Sequence, residues 1–148
     1  MKVIQNILGG LAGAFTLNIL HETMRRLDED APRIDLVGQE ALSRVIMAGG
    51  LTPPSGAALY VSTLAADVSS NALYYSFIGH GKDENLLIRG AAFGLAAGVG
   101  ALKLTPALGL DDEPVNRTSK TKVMTVGWYV AGGLAAALVI RMLRKYQQ

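Results

Sequence analysis

The chain has 148 residues, of which 50% are hydrophobic and only 18% are charged, and its mean hydropathy is +0.29. The charges lie in short clusters between long Gly/Ala/Leu blocks, which predicts one membrane domain over residues 1–148 and argues against a soluble protein. A formal charge of +2 is too small for a nucleic-acid-binding surface, and the lack of cysteine excludes disulfides, thiolate metal sites and a cysteine nucleophile.

The first apolar block predicts a membrane-spanning helix over residues 3–22, since 20 residues at 1.5 Å each match a hydrocarbon layer of about 30 Å. Gln5 and Asn6 interrupt its apolar run, so we interpret it as a span and not as a cleaved signal peptide. Gly9 and Gly13, four residues apart, predict a face on which another helix packs closely.

A second helix is predicted over residues 34–48, after Asp28-Glu29-Asp30 and Pro32 end the first. It is too charged to insert, but it is amphipathic, which favours a position in the membrane interface. Its predicted apolar face consists of Ile34, Val37, Ala41, Leu42, Val45 and Met47.

Two further spans are predicted over residues 55–78 and 86–105. The seven-residue link between them predicts antiparallel neighbours. Tyr60, Tyr74 and Tyr75 lie towards the ends of the second span, as in an aromatic belt at the membrane surface.

The third span carries Gly90, Gly94 and Gly98 at strict four-residue spacing, again a helix-packing face. We expect it to pack against the glycine face of the first span. Arg89, near its start, is expected either to extend towards the lipid headgroups or to turn inward and pair with Tyr74, Asn71 or Asp67.

A fourth span is predicted over residues 123–143, with Trp128 and Tyr129 as belt residues near its start. Lysine and arginine divide almost evenly between the two sides of the predicted membrane domain, so the positive-inside rule sets no orientation.

Polar residues form one stripe on the second predicted span, at spacings of three and four: Thr63, Asp67, Ser70, Asn71 and Tyr74. A carboxylate near the middle of a bilayer is costly, so Asp67 requires a compensating partner or a function. One interpretation is a proton or ion site; the other is a buried hydrogen-bond network in which Asp67 is neutral or held by Asn18 or Arg89.

A second polar stripe, on the first span, consists of Asn18, His21, Glu22 and Arg25. His-Glu-x-x-Arg lacks the second histidine of a zinc-protease motif, so no metal site is predicted. Glu22 can pair with Arg26 four residues on. The alternative is that His21 and Glu22 form a titratable pair at the mouth of a cavity whose deeper wall holds Asp67.

The pattern of His21-Glu22 with Arg25-Arg26, Asp35 to Gly38, Arg89-Gly90 and Thr125 to Gly133 around Trp128 resembles the YagU-like group of small bacterial inner-membrane proteins. The resemblance implies a location in the bacterial cytoplasmic membrane and an association with acid tolerance. It carries over no functional residues.

The sequence thus predicts an all-α bundle of four transmembrane helices plus one interfacial helix. Its partner is the lipid bilayer, and no nucleophile, metal cluster, phosphate cradle or cofactor site is visible, so no enzyme is expected. We expect an accessory or assembly component, or a homo-oligomer or part of a larger membrane complex joined through glycine faces. The alternative is a transporter or channel for protons or a small solute, with Asp67 as the titrating group.

Overall fold

The computed structural model describes residues 1–146, and within this range it contains helices and no β-strand, so the all-helical prediction is confirmed. Two single 3₁₀ turns, Phe77–Gly79 and Asp83–Asn85, connect the third helix to the fourth. The helices are α1 (Lys2–Leu27), α2 (Ile34–Ala48), α3 (Gly56–Ser76), α4 (Leu86–Ala107), α5 (Glu113–Asn116) and α6 (Ser119–Lys145).

The central helix of the bundle is α6. Both α1 and α4 pack along it and hardly touch each other, while α3 packs along α1. The expectation that the first and third spans pack together is therefore wrong. Each glycine face has α6 as its partner, because the adjacent Gly132 and Gly133 of α6 let α1 and α4 approach its backbone.

The contact between α4 and α6, which we call the α4–α6 seam, depends on Gly90, Gly94 and Gly98. A Cβ atom at Gly94 would lie 2.5 Å from the carbonyl oxygen of Tyr129, and one at Gly98 would lie 2.7 Å from the Cα of Val126. Real Cβ atoms do not come this close, so only glycine allows the two backbones to touch.

The glycines of α1 allow close contact with two other helices, α6 and α3. A Cβ at Gly13 would meet the Gly132 carbonyl oxygen of α6 at 2.6 Å, and one at Gly9 would meet the Ala136 carbonyl oxygen at 2.9 Å. Gly10, on another side of the helix, faces the backbone of Ala72 in α3. The helix is therefore held between α6 and α3 by backbone contacts.

The helices α3 and α4 are antiparallel but are not close neighbours, so that part of the prediction is wrong. The turn Phe77–Gly79 is inserted among α1, α4 and α6, with Ile78 fully buried, and this holds α3 away from α4. Tyr74 bridges the space, since its hydroxyl donates to the Phe93 carbonyl oxygen at 3.0 Å. We call this space the α3–α4 gap.

The surface is apolar and the interior contains polar groups, the reverse of a soluble protein. Ile4, Ile19 and Ile88 are exposed, whereas Asn18 and Thr125 are buried. Three helical segments are long and apolar enough to cross a membrane: Lys2–Leu27, Asp83–Ala107 and Ser119–Lys145.

The amphipathic helix α2 covers the range that the sequence predicts and packs on α3 and α5. The Arg33 amide, just before α2, donates to the Pro114 carbonyl oxygen in α5 at 2.9 Å. The predicted apolar face of α2 is divided: its first half covers the bundle, while Val45 and Met47 in its second half are 70% and 54% exposed.

The aromatic-belt prediction is wrong for three residues. Tyr75 is fully buried, and Trp128 and Tyr129 are each only 8% exposed. All three belong to the hydrophobic core, and Tyr75 fills the space beside Gly13 of α1 and Gly132 of α6. Trp128 also approaches His21, with ring centroids 6.0 Å apart.

Candidate functional site

A cavity of about 220 Å³ lies in the α3–α4 gap, with α2 covering one end, and all six helices contribute to its wall. This volume suits several water molecules or a small solute and is below the roughly 300 Å³ at which drug-sized ligand sites begin. Both predicted polar stripes supply wall residues. The titratable side chains of the wall are His21, Glu22, Asp35, Tyr60, Asp67 and Tyr129.

Asp67 is held only by neutral donors. Asn18 Nδ2 donates to its Oδ2 at 2.9 Å, and Asn71 Nδ2 donates to its Oδ1 at 2.9 Å. No lysine or arginine among residues 1–146 forms an ion pair with it. The structure therefore places Asp67 against Asn18, one of the two partners named from the sequence, and away from Arg89.

Two buried polar atoms on the cavity wall have no hydrogen-bond partner, His21 Nε2 and Thr63 Oγ1. The two residues are only 4% and 6% exposed. His21 Nε2 lies 3.4 Å from Asp35 Oδ1, which is within ion-pair range but does not meet hydrogen-bond geometry. Such unpaired groups are rare in proteins, and two on one wall mark a place where a polar molecule would bind.

Glu22 and Tyr60 are partly exposed residues of the cavity wall, as Asp67 also is. The Tyr60 hydroxyl donates to Glu22 Oε1 at 2.6 Å, and Arg25 Nη2 pairs with Glu22 Oε2 at 2.7 Å. The Arg25 guanidinium also lies over the Tyr60 ring, 5.4 Å from its centroid. The predicted pair with Arg26 is present but long, at 3.8 Å.

Asp35 attaches α2 to α1 and is the functional residue that sequence reasoning missed. Arg25 Nη1 donates to its Oδ2 at 2.9 Å, and Arg33 donates to both of its oxygens at 2.8 and 2.9 Å. Burial raises the pKa of Asp35, but contacts with Arg33 and His21 outweigh burial and hold this pKa well below its ordinary value of 3.8. The sequence did contain a signal for Asp35, because an acidic residue within the apolar face of an amphipathic helix requires a partner.

The inner end of the cavity is closed. Tyr75 is fully buried there, and its hydroxyl donates to the Tyr129 carbonyl oxygen at 2.8 Å. Beyond it lies a layer of apolar side chains that includes Leu17, Ala136 and Ile140. The cavity therefore reaches the surface on the α2 side and not on the opposite side.

Four of the site candidates from the sequence lie outside the cavity wall: Arg25, Ser70, Asn71 and Arg89. Ser70 is exposed and donates to the carbonyl of its own helix at Asp67, 3.1 Å away. Asn71 donates to Asp67 Oδ1 without itself lining the cavity. Arg89 donates to the carbonyl oxygens of Ile78 and Lys82 at 2.9 and 2.7 Å. It therefore neither extends towards the headgroups nor pairs with Asp67, and it stabilises the α3–α4 connection.

No group of three His, Cys, Asp or Glu side chains in residues 1–146 is arranged to hold a metal ion. At the position where a zinc-protease motif has its second histidine, Arg25 pairs with Glu22 and Asp35. The cavity wall is mostly apolar and carries three carboxylates and one imidazole. Of the carboxylates, Glu22 and Asp35 are paired with arginines.

No family model, curated protein or solved structure matches this chain. Function is therefore inferred from the geometry of the cavity.

Proposed function

We propose that this chain is an integral membrane protein of four transmembrane helices in which α3 is the fourth span. At 21 residues α3 is about 31 Å long, enough to cross the hydrocarbon layer. Its polar side chains Thr63 and Asp67 turn towards the cavity, while Val61 and Leu73 on its outer face are exposed. The exposed Val45 and Met47 of α2 support a position in the interface, where lipid would cover them.

The function that we propose is the transfer of protons, or of a small polar solute, through the cavity by way of Asp67. The observation that carries this proposal is a carboxylate on a cavity wall with two amide donors and no cationic partner. Neutral amides do not cancel a charge, and an ionised carboxylate inside a bilayer costs at least about 2.5 to 3.5 kcal/mol. Binding a proton or a cation removes that cost, which makes Asp67 a site of reversible loading.

The groups between Asp67 and the surface support a path for protons. His21 lies on the same wall as Asp67, and its Nε2 lies 3.4 Å from Asp35 Oδ1 without a hydrogen bond. On that wall the Tyr60 hydroxyl also donates to Glu22. Histidine gains and loses a proton readily near neutral pH, so it is suited to relay protons between the mouth and Asp67.

The closed inner end supports a carrier and argues against a continuous channel. Tyr75 and the apolar layer beyond it separate Asp67 from the opposite surface. Release on that side would require the helices to rearrange around Asp67, as in alternating access.

The leading expectation from the sequence, an assembly component or homo-oligomer, was based on the glycine faces. The glycine faces at Gly9, Gly13, Gly90, Gly94 and Gly98 are filled by other helices of the same chain, so they offer no surface to a second subunit. We retain a non-enzymatic role, and a bacterial cytoplasmic-membrane location on the strength of the family resemblance.

The test is proton flux into liposomes that contain purified protein and a pH-sensitive dye, driven by a potassium gradient with valinomycin. We expect flux above that of protein-free liposomes, and we expect Asp67→Asn to reduce it at least about tenfold, since Asn cannot bind a proton. Glu84→Gln, which neutralises an exposed carboxylate in the α3–α4 connection, is the control and should leave flux unchanged.

Equal flux with and without the protein would contradict proton transfer. Equal flux for Asp67→Asn and wild type would contradict the role of Asp67. Unchanged elution volumes in detergent must accompany both variants, so that loss of flux is separated from loss of fold.

A further inference from the structure

A second cavity, of about 170 Å³, lies at the opposite end of the bundle, where α6 ends and α4 begins. Its wall consists of Asp83, Leu86, Arg141, Arg144 and Lys145. We propose that this cavity, which we call the Arg144 pocket, binds a phosphate group, supplied in the membrane by an anionic lipid headgroup.

Arg144 gives the pocket a fixed, buried cation. It is only 7% exposed, and its Nη2 donates to Asn6 Oδ1 and to the Gly79 carbonyl oxygen, both at 2.7 Å. Its Nη1 forms an ion pair with Asp83, so the negative charge on the pocket wall is already compensated. The Arg144 Nε is buried without a partner, which leaves one donor on a cation that the fold holds rigidly.

Arg141 and Lys145 add two cations to the same wall. Both are exposed, and within residues 1–146 neither forms an ion pair or a side-chain hydrogen bond. Leu86, at the first turn of α4, also lines the pocket, and no side chain caps this helix N-terminus. The Leu86 amide already donates to the Asp83 carbonyl oxygen, so the arginine and lysine side chains are the groups that favour an anion here.

The whole end of the molecule around this pocket is basic. Six lysine and arginine residues lie there, against the two acidic residues Asp83 and Glu84: Lys2, Lys82, Arg89, Arg141, Arg144 and Lys145. At the opposite end acidic residues offset the basic ones. A basic pocket between helices at the membrane surface is the arrangement that binds phosphate-bearing headgroups. The lipid source rests on the proposed membrane location but does not depend on transport by Asp67.

The test compares two double variants in detergent, each removing two exposed, unpaired cations. Arg141→Gln with Lys145→Gln removes those of the pocket, and Lys103→Gln with Lys122→Gln removes two at the opposite end as a matched control. Each protein is titrated with short-chain phosphatidylglycerol, with short-chain phosphatidylcholine and with inorganic phosphate, and the melting temperature is followed.

We expect phosphatidylglycerol to raise the melting temperature of the wild type and of the control. In the pocket variant its apparent affinity should fall about tenfold to thirtyfold, as expected for the loss of two cations near the headgroup. If inorganic phosphate reproduces a stabilisation that the pocket variant loses, the pocket is supported with a soluble phosphate as its ligand.

The proposal is overturned if neither phosphate source stabilises the protein. It is equally overturned if both double variants lose affinity to the same extent, because the effect is then one of net charge. Phosphatidylcholine should stabilise more weakly than phosphatidylglycerol, and equal stabilisation by the two would remove anionic recognition.

Discussion

The helix α4 makes two contacts of opposite character. Towards α6, Gly90, Gly94 and Gly98 bring two backbones together, and the seam has no room for a polar side chain. Towards α3, the turn Phe77–Gly79 holds the helices apart and Tyr74 bridges the space between them, in which the cavity lies.

The difference shows how a small membrane protein separates stability from chemistry. Between helices in lipid there is no hydrophobic driving force, so close packing of small residues supplies much of the attraction. Where side chains hold helices apart, buried polar groups can face an enclosed space. The α4–α6 seam can therefore be rigid while the α3–α4 gap holds groups that bind and release.

The substitution Gly94→Leu should have the largest effect, because it acts on the seam. Its Cβ alone would lie 2.5 Å from both the Tyr129 carbonyl oxygen and the Val130 Cα, and no flexible side chain is there to move aside. We expect a loss of more than about 3 kcal/mol in the free energy of unfolding, seen as a lower melting temperature and a broadened elution profile in detergent.

A matched control comes from α6 itself. Gly127 has no atom within 4 Å of its virtual Cβ. Gly127→Ala should therefore leave stability unchanged or raise it by up to about 1 kcal/mol, since alanine favours helix. An unaltered melting temperature for Gly94→Leu would mean that the seam does not hold the bundle together.

The next largest effect is expected at Asp35, on the rim of the α3–α4 gap. Asp35→Asn leaves Arg33 without a carboxylate partner and Arg25 with Glu22 alone, and at neutral pH we expect a loss of up to about 3 kcal/mol in stability. Glu40→Gln, which breaks the exposed pair with Arg44, is the control and should cost less than about 1 kcal/mol.

The same variant gives a pH dependence of defined sign. The pKa of Asp35 in the folded protein lies below its ordinary value of 3.8. Its contribution to the free energy of unfolding is therefore fully present above about pH 4 and is lost as the pH falls towards the folded-state pKa. The difference in melting temperature between wild type and Asp35→Asn should therefore be constant near neutrality and shrink below about pH 4. A difference in melting temperature that stayed constant down to pH 2 would contradict the proposed role of the ion pairs.

Much of the fold followed from local patterns along the chain. The glycine spacing in α1 and α4 and the amphipathic repeat of α2 are short-range signals, and the helices that they predict are present. The partners of those helices were not predictable in this way. A glycine face predicts that another backbone packs there but does not identify which one. The shared partner, Gly132-Gly133 of α6, is recognisable only when the three helices are assembled.

The candidate site was predictable to the same extent. Helical spacing alone put Asn18 with His21 and Thr63 with Asp67, each pair on one helix face. It could not bring Asp35 or Tyr60 to those faces, because α2 and the start of α3 reach α1 through tertiary contacts. Arg89 was misplaced for the same reason, since its partners are backbone carbonyl oxygens of the α3–α4 connection, whose course depends on tertiary contacts.

The smallest effect is expected for a substitution that tests whether water enters the α3–α4 gap, which is the property that distinguishes the gap from the α4–α6 seam. Thr63 Oγ1 is buried without a protein partner, and Thr63→Val replaces this hydroxyl with a methyl group of similar size. In a dry gap the substitution should stabilise the protein by about 1 kcal/mol or more, since the cost of an unpaired hydroxyl disappears.

In a gap that water enters, the hydroxyl is already solvated, and we expect the melting temperature of Thr63→Val to stay within about 2 °C of wild type. Thr125→Val in α6 is the control, since this buried hydroxyl donates to the Thr121 carbonyl oxygen at 2.9 Å and its loss should destabilise slightly. A clear rise for Thr63→Val would show a dry gap, and protons would then have no path from Glu22 to Asp67.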